Sequence, residues 1–304
     1  MKRAWHAWVS LWDRTEPPVA LAFVRMYVAV ALLADLLRIA ALGLVGPLYA
    51  AAPDGYAMPA TDLARALVER GLGPTVWAVA VIAAACVALG FATRVACVVL
   101  VLAMAQLAHI APDSDRGIHM IFRVVLAILA LSQSHARWSI DAWLWARLGR
   151  PFPALVPAWP RYLLLLQLLW IYFSAGIQKA GAEWGPWGGF LAVANTATDP
   201  SYARFDPAWL ETFLPLTRVA TAGTLLFELT APLYLVWLYC AETADRPGRT
   251  RAWVNKLRLR WIWIALGVAF HLGLALTTTL GVFPWGMLAL YPVLFRPREL
   301  SRGA

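Results

Sequence analysis

The sequence predicts an all-α polytopic membrane protein with about eight transmembrane helices and both termini in the cytoplasm. Three observations carry that prediction. Of the 304 residues, 61% are hydrophobic and only 14% are charged, where a soluble globular domain carries roughly 25% charged residues. Apolar runs of seventeen residues or more recur along the whole length, each near the ~20 residues that a bilayer core demands. Lysine and arginine are also distributed unevenly. With the N-terminus inside, seventeen fall on inner segments, six on outer segments and three within spans, an asymmetry that orients membrane proteins. The net charge of +9 therefore belongs to short loops and topology, and no nucleic-acid partner is expected. No stretch is long enough for a soluble domain, so residues 1–304 are expected to form a single membrane domain with no extramembrane domain after the last span.

The elements follow in order. The opening "MKRAWHAWVSLWDRTEPP" (1–18) repeats Trp5, Trp8 and Trp12 at helical spacing among Lys2, Arg3 and Arg14. It reads as an interfacial segment that stops at Pro17–Pro18. Span one covers 19–45. Spans two and three, 75–91 and 94–111, are separated by a turn near Arg94. Span four covers 117–135. The loop "RLGRPFPALVPAWPR" contains four prolines and cannot be helical throughout. Span five covers 160–180. A Gly-, Pro- and Trp-rich segment, 181–217, then lies on the outer side, where it is expected to cover a site. Span six covers 218–240, "RPGRTRAWVNKLRLR" is a basic connector, and spans seven and eight divide 261–296 around "TTTLGVFP". Cys86, Cys97 and Cys240 have no metal-binding spacing and read as small core residues. No metal is expected.

Charged groups inside these runs are the candidates for function, since each costs at least ~2.5 kcal/mol at mid-bilayer. Span one carries Arg25, Asp35 and Arg38. Asp35 and Arg38, three apart, share a helix face and can pair. The set reads either as an internal salt bridge or as a site for an anionic or quinone-like headgroup. Glu228, mid-span in "GTLLFELTAPLYL", needs a cation from another helix, and Arg123 is one candidate. His271 stands in "AFHLGLALTTT", His119 at the start of span four, and Lys179 in "FSAGIQKAGAEW" at the end of span five. The assumed orientation places Lys179, His119 and His271 toward the outer face at similar depth. Lys179 has two readings. It could be an end-of-helix anchor that snorkels and pairs with Glu183. It could instead be a desolvated amine that serves as a base near neutral pH.

Several of these stretches also resemble a known family in their order along the chain. "QLLWIYFSAGIQKAGAEW" is similar to the core motif of the vitamin K-dependent γ-carboxylases, whose membrane part is the horizontally transferred transmembrane (HTTM) domain. "AFVRMYVAVALLAD" resembles the family's opening span. "GIHMIF" with "SQSHARWSID" resembles its histidine-bearing region, and "LLFELTAPLYL" and "FHLGLALTTTLGVFPWGMLALYPVLF" resemble its later spans. The sequence departs from the pattern at Gln178, where vertebrate enzymes have a second lysine, and at Ile118, where they have an asparagine.

The resemblance implies Lys179 as base, with His119 and His271 as catalytic neighbours. It also implies Arg25, Asp35, Tyr172, Trp184 and Glu228 as residues holding a lipid-soluble quinone. The implied chemistry couples oxygenation of reduced vitamin K or menaquinol by O2 to removal of a glutamate γ-proton, with CO2 trapping the product. The expected partners are the bilayer, the quinone and a secreted peptide or protein substrate, and the expected location is the cell membrane, multi-pass. Two other classes fit the same residues. One is a non-enzymatic protein for maturation or export of a secreted peptide, like the sporulation-delaying maturation proteins. The other is a small-molecule transporter, which the absence of mirrored halves disfavours.

Overall fold

The computed structural model describes residues 5, 9–10, 12–52 and 54–300. Lys2, Arg3 and Trp8, on which the expected interfacial segment partly rests, lie outside the described residues. The chain is predominantly helical and divides into two compact units, residues 1–164 with 289–304, and residues 165–288.

The first unit begins with β1 (Thr15–Glu16), paired antiparallel with β2 (Val156–Pro157). The four-proline loop thus supplies a strand rather than a helix. Pro18 caps α1 (Val19–Ala41), 23 residues without an interior breaker. After the short α2 (Val45–Tyr49) comes α3 (Asp62–Glu69), whose N-cap Thr61 accepts the Ala64 N–H at 3.2 Å. It turns by 103° into α4 (Gly73–Leu89). The sequence pattern gave no sign of α3 as part of span two. Gly90, at φ 70°, ends α4 in the left-handed conformation that glycine adopts without strain.

Helix α5 (Thr93–Ile110) lacks a local cap. Asp141 supplies one from the start of α7 (Ile140–Arg147): its carboxylate accepts the Ala92 and Thr93 N–H groups at 2.8 and 2.9 Å and the Thr93 hydroxyl at 2.7 Å. Between them lies α6 (Gly117–Leu131), only 15 residues long. Helix α4 packs on α1 and α5, and α5 packs on α6. A buried, two-pronged ion pair fastens β1 to the start of the next helix: Arg161 Nε and Nη2 donate to Glu16 at 2.7 and 2.8 Å.

The second unit takes in most of α8 (Trp159–Gln178), then 3-10 turns at Ala182–Trp184 and Pro186–Gly188 and the short α9 (Ala192–Thr198). It continues with α10 (Leu210–Leu229) and α11 (Leu233–Glu242), which meet at 64°. The break falls at Thr230–Pro232, because Pro232 has no N–H to continue the ladder. The Phe227 carbonyl there accepts the Trp263 indole N–H at 3.1 Å and the Thr230 hydroxyl at 3.2 Å. The basic connector is itself helical, α12 (Arg249–Lys256), and leads into α13 (Leu259–Thr277) and α14 (Phe283–Leu288).

Segment 181–217 is fastened within this unit. Ala203 bridges Thr278, the Thr279 N–H donates to the Tyr202 carbonyl at 2.9 Å, and Arg204 donates to the Ala275 carbonyl at 2.7 Å.

By length and composition, four helices can cross a membrane: Val19–Ala41, Thr93–Ile110, Trp159–Gln178 and Arg249–Thr277. The number rises to six if each bent pair is one span. Expected spans one, three, five and seven match the four. Spans two and six are the bent pairs. Spans four and eight correspond to shorter apolar helices, Gly117–Leu131 and Phe283–Leu294.

Candidate functional site

Two clusters of intramembrane polar groups stand out, one in each unit. In the first unit, Asp35 on α1 is buried and bonded to α6 and its approach. Arg116 Nη2 donates to both Asp35 oxygens at 2.6 and 2.7 Å, and His119 Nε2 lies 2.9 Å from Oδ2. The Arg116 backbone N–H points at His119 Nδ1 at 3.3 Å, which assigns the imidazole proton to Nε2, facing the carboxylate. Both imidazole nitrogens are thus engaged in holding the start of α6, an arrangement that suits positioning. Asp115 takes the two prongs of Arg123 at 2.8 Å each.

Two expected pairings are corrected here. Asp35 is bonded to Arg116 and His119 rather than to the exposed Arg38, and within their own units Arg123 bonds Asp115 and Glu228 takes Lys179 as its cation. A cavity of about 240 Å³ adjoins this cluster, walled by Leu36, Ile39, Met104 and Leu107 and including Asp35 and Tyr49. Burial pushes the Tyr49 phenol up to about 12, although its bond to Ser114 opposes the shift.

Arg25, fully buried, makes no ion pair with Asp35. Its guanidinium donates to four carbonyls: Val87 at 2.8 Å, Ala88 at 3.0 Å, Ser134 at 3.3 Å and Trp138 at 2.6 Å. Carbonyls freed at the end of α4 and in the turn after α6 thus solvate the cation in place of water. This is a structural arrangement, and it leaves few donors for a headgroup.

In the second unit, Tyr172, Gly176 and Lys179 recur at i, i+4 and i+7, one face of a helix. Lys179 follows the last residue of α8, and its amine does not pair with Glu183. It lies 2.7 and 2.9 Å from the two Glu228 oxygens on α10, donates to the Ala175 carbonyl at 3.3 Å, and sits 4.9 Å from the centre of the Trp184 ring. The amine is thus surrounded by a carboxylate, a main-chain carbonyl and an aromatic face. The Lys179 side chain is 19% exposed and that of Glu228 5%, so the expected pairing with Glu183 gives way to a largely buried one with Glu228. Gly176 is what allows the approach: a Cβ there would meet the Glu228 Cβ at 3.1 Å and the Leu229 nitrogen at 3.2 Å.

Beside the pair, Phe227 packs on Tyr172 and stacks on Trp263, with ring centres 4.9 and 4.5 Å apart. The Tyr172 hydroxyl lies 2.6 Å from Nε2 of the fully buried His271. Lys179, Glu228, Trp184, Tyr172 and His271 thus share one unit, and His119, Asp35 and Arg25 belong to the other.

A family model for the HTTM domain matches residues 13–244. The chain belongs to the HTTM family. The matched HTTM region includes both clusters except α13, which carries His271 and Trp263. No solved structure matches the chain. Within this HTTM protein, sequence reasoning identified Lys179 and Glu228 separately but missed that they pair, and it missed Arg116 and Asp115 as partners of the Asp35 cluster. The one available signal was Arg116 directly preceding a helix whose third residue is His119, the spacing of a reciprocal N-terminal cap.

The second unit gathers a compact set of exchangeable protons and rings. It contains an amine and a carboxylate in contact, a phenol bonded to an imidazole, and flat faces from Trp184, Phe227 and Trp263. Together these can hold and exchange protons within the unit.

Proposed function

We propose that this HTTM protein is a membrane enzyme of carboxylase-like chemistry that uses a reduced quinone, with Lys179 as its base. The observation that carries the reading is the Lys179–Glu228 pair, an amine just past the end of α8 and a carboxylate on α10 held 2.7 Å apart, away from bulk water. In such surroundings an ammonium–carboxylate pair and a neutral amine–acid pair are close alternatives. When the shared proton rests on Glu228, Lys179 is free to take a proton from a phenolic hydroxyl. The ammonium that results is balanced by the phenolate it has formed, while Glu228 keeps the shared proton. Trp184 and the fastened segment 181–217 restrict water, which protects a strong base from quenching. Tyr172 and His271 hold a second exchangeable proton deeper in the unit. The quinol, when bound, would supply the reducing equivalents for reaction with O2, and CO2 would trap the carbanion left when the glutamate γ-proton is removed.

In this reading the four long helices, the two bent pairs and the two shorter apolar helices act as eight crossings. Both termini are cytoplasmic, and segment 181–217 covers the site on the outer side. A lipid-soluble quinol enters from the bilayer, and a secreted peptide or protein supplies the glutamate. The test is epoxide formation by purified protein given vitamin K hydroquinone, O2 and bicarbonate. Lys179→Ala abolishes it if the reading holds. Folded protein that yields no epoxide from several quinols overturns it, and secreted-peptide maturation that survives Lys179→Ala would favour the non-enzymatic class.

A further inference from the structure

The stretch from Arg246 to Arg258 is one-sided in charge. It holds Arg246, Arg249, Arg251, Lys256 and Arg258, and after Asp245 the next acidic residue is Glu299. A connector that only sets topology has no need of order, yet this one is built. Asn255 on α12 donates to the Cys240 carbonyl of α11 at 2.9 Å. Arg251 turns back onto the Arg246 and Pro247 carbonyls at 3.0 and 2.7 Å. The remaining four cations, Arg246, Arg249, Lys256 and Arg258, are exposed. So are Trp253, at 64%, and Leu257 four residues on.

The helix leads into α13, and Arg249–Thr277 together qualify as a crossing helix. A fixed set of cations at the mouth of a crossing helix lies at headgroup depth, where tryptophan also prefers to sit. We infer that α12 and its flanks form a binding surface for anionic phospholipid headgroups. The phosphates meet the four exposed cations, and Trp253 and Leu257 enter the acyl boundary beside them. Each cation near a charged surface raises the partition of anionic lipid roughly fivefold. A nucleic acid would use the same cations but has no use for an exposed apolar pair at this position. The nearest acids in sequence, Glu242 and Asp245, precede the helix.

The test uses the full chain in nanodiscs of mixed phosphatidylglycerol and phosphatidylcholine, with retained lipid measured after delipidation. The wild type enriches phosphatidylglycerol. The variant Arg246→Gln/Arg249→Gln/Lys256→Gln/Arg258→Gln loses that enrichment by about tenfold or more, and a variant with lysine at the three arginine positions keeps it. Equal enrichment in wild type and the glutamine variant overturns the inference. Should the glutamine variant fail to fold, brominated lipids decide the matter in the wild type. Brominated phosphatidylglycerol must quench the fluorescence assigned to Trp253, by difference from Trp253→Phe, more strongly than brominated phosphatidylcholine. Equal quenching overturns the proposal, as does an RNA oligonucleotide that binds at α12 and displaces the anionic lipid.

Discussion

Removing the Lys179 amine should leave Glu228 as an uncompensated carboxylate, and the structure bounds the penalty. The Glu228 side chain is 5% exposed and loses contacts of 2.7 and 2.9 Å, the situation in which breaking a buried pair costs about 3–5 kcal/mol. A ceiling applies, because the variant can neutralise the carboxylate by taking up a proton, which at pH 7 costs about 3.7 kcal/mol from an ordinary glutamate value. Lys179→Met should therefore lose about 3–4 kcal/mol at pH 7, and the deficit should shrink by about 1.4 kcal/mol per pH unit on acidification. Lys179→Met/Glu228→Met removes both charges and should recover most of the loss. The assay is reversible unfolding in mixed micelles at pH 7 and pH 5, run as a double-mutant cycle. If the two single losses simply add to within about 0.5 kcal/mol, the pair is not coupled and the reasoning fails, whatever the activity assay shows.

Three further outcomes follow from the geometry. Arg25→Lys should be destabilised by at least about 2 kcal/mol in the same unfolding assay, because one ammonium cannot reach four carbonyls arranged around a planar fork. Gly176→Val should separate α8 from α10 and weaken the Lys179–Glu228 contact, read as lowered stability together with loss of the cycle's coupling energy. Tyr49 should lend the fold an alkaline sensitivity. Its phenol stays protonated to about 12 when folded but titrates near 10 when unfolded, so its contribution is intact below about pH 10 and is lost as pH rises toward 12. Tyr49→Phe should flatten the pH-stability curve over that interval.

The helical, membrane-crossing character of the chain was legible because it rests on composition and run length, which survive any tertiary arrangement. Lys179 and Glu228 were legible one at a time, as charges where apolar residues belong. Their pairing was not, since helical periodicity reveals which face a residue occupies and says nothing about which helix, 49 residues away, will face it. The same limit produced the wrong partners for Asp35 and Arg123: proximity in sequence favoured Arg38, whereas the fold brought in Arg116 from 81 residues away. Arg25 failed for another reason. A sequence displays side-chain charges, but the acceptors that satisfy this guanidinium are main-chain oxygens at the end of α4 and in the turn after α6. The bend at residues 230–232 was hidden because an apolar run continues across it, whereas the helix before residues 70–72 was hidden because Asp62, Arg65, Glu69 and Arg70 give it the look of a polar loop.

The way Arg25 is satisfied has a consequence for biogenesis. Its acceptors are separated from it by 62 to 113 residues, so the first helix leaves the ribosome long before any of them exists. Until Trp138 has been synthesised, that guanidinium lacks part of its final set of acceptors. Hydrocarbon becomes a tolerable environment for it only once several downstream segments have assembled around it.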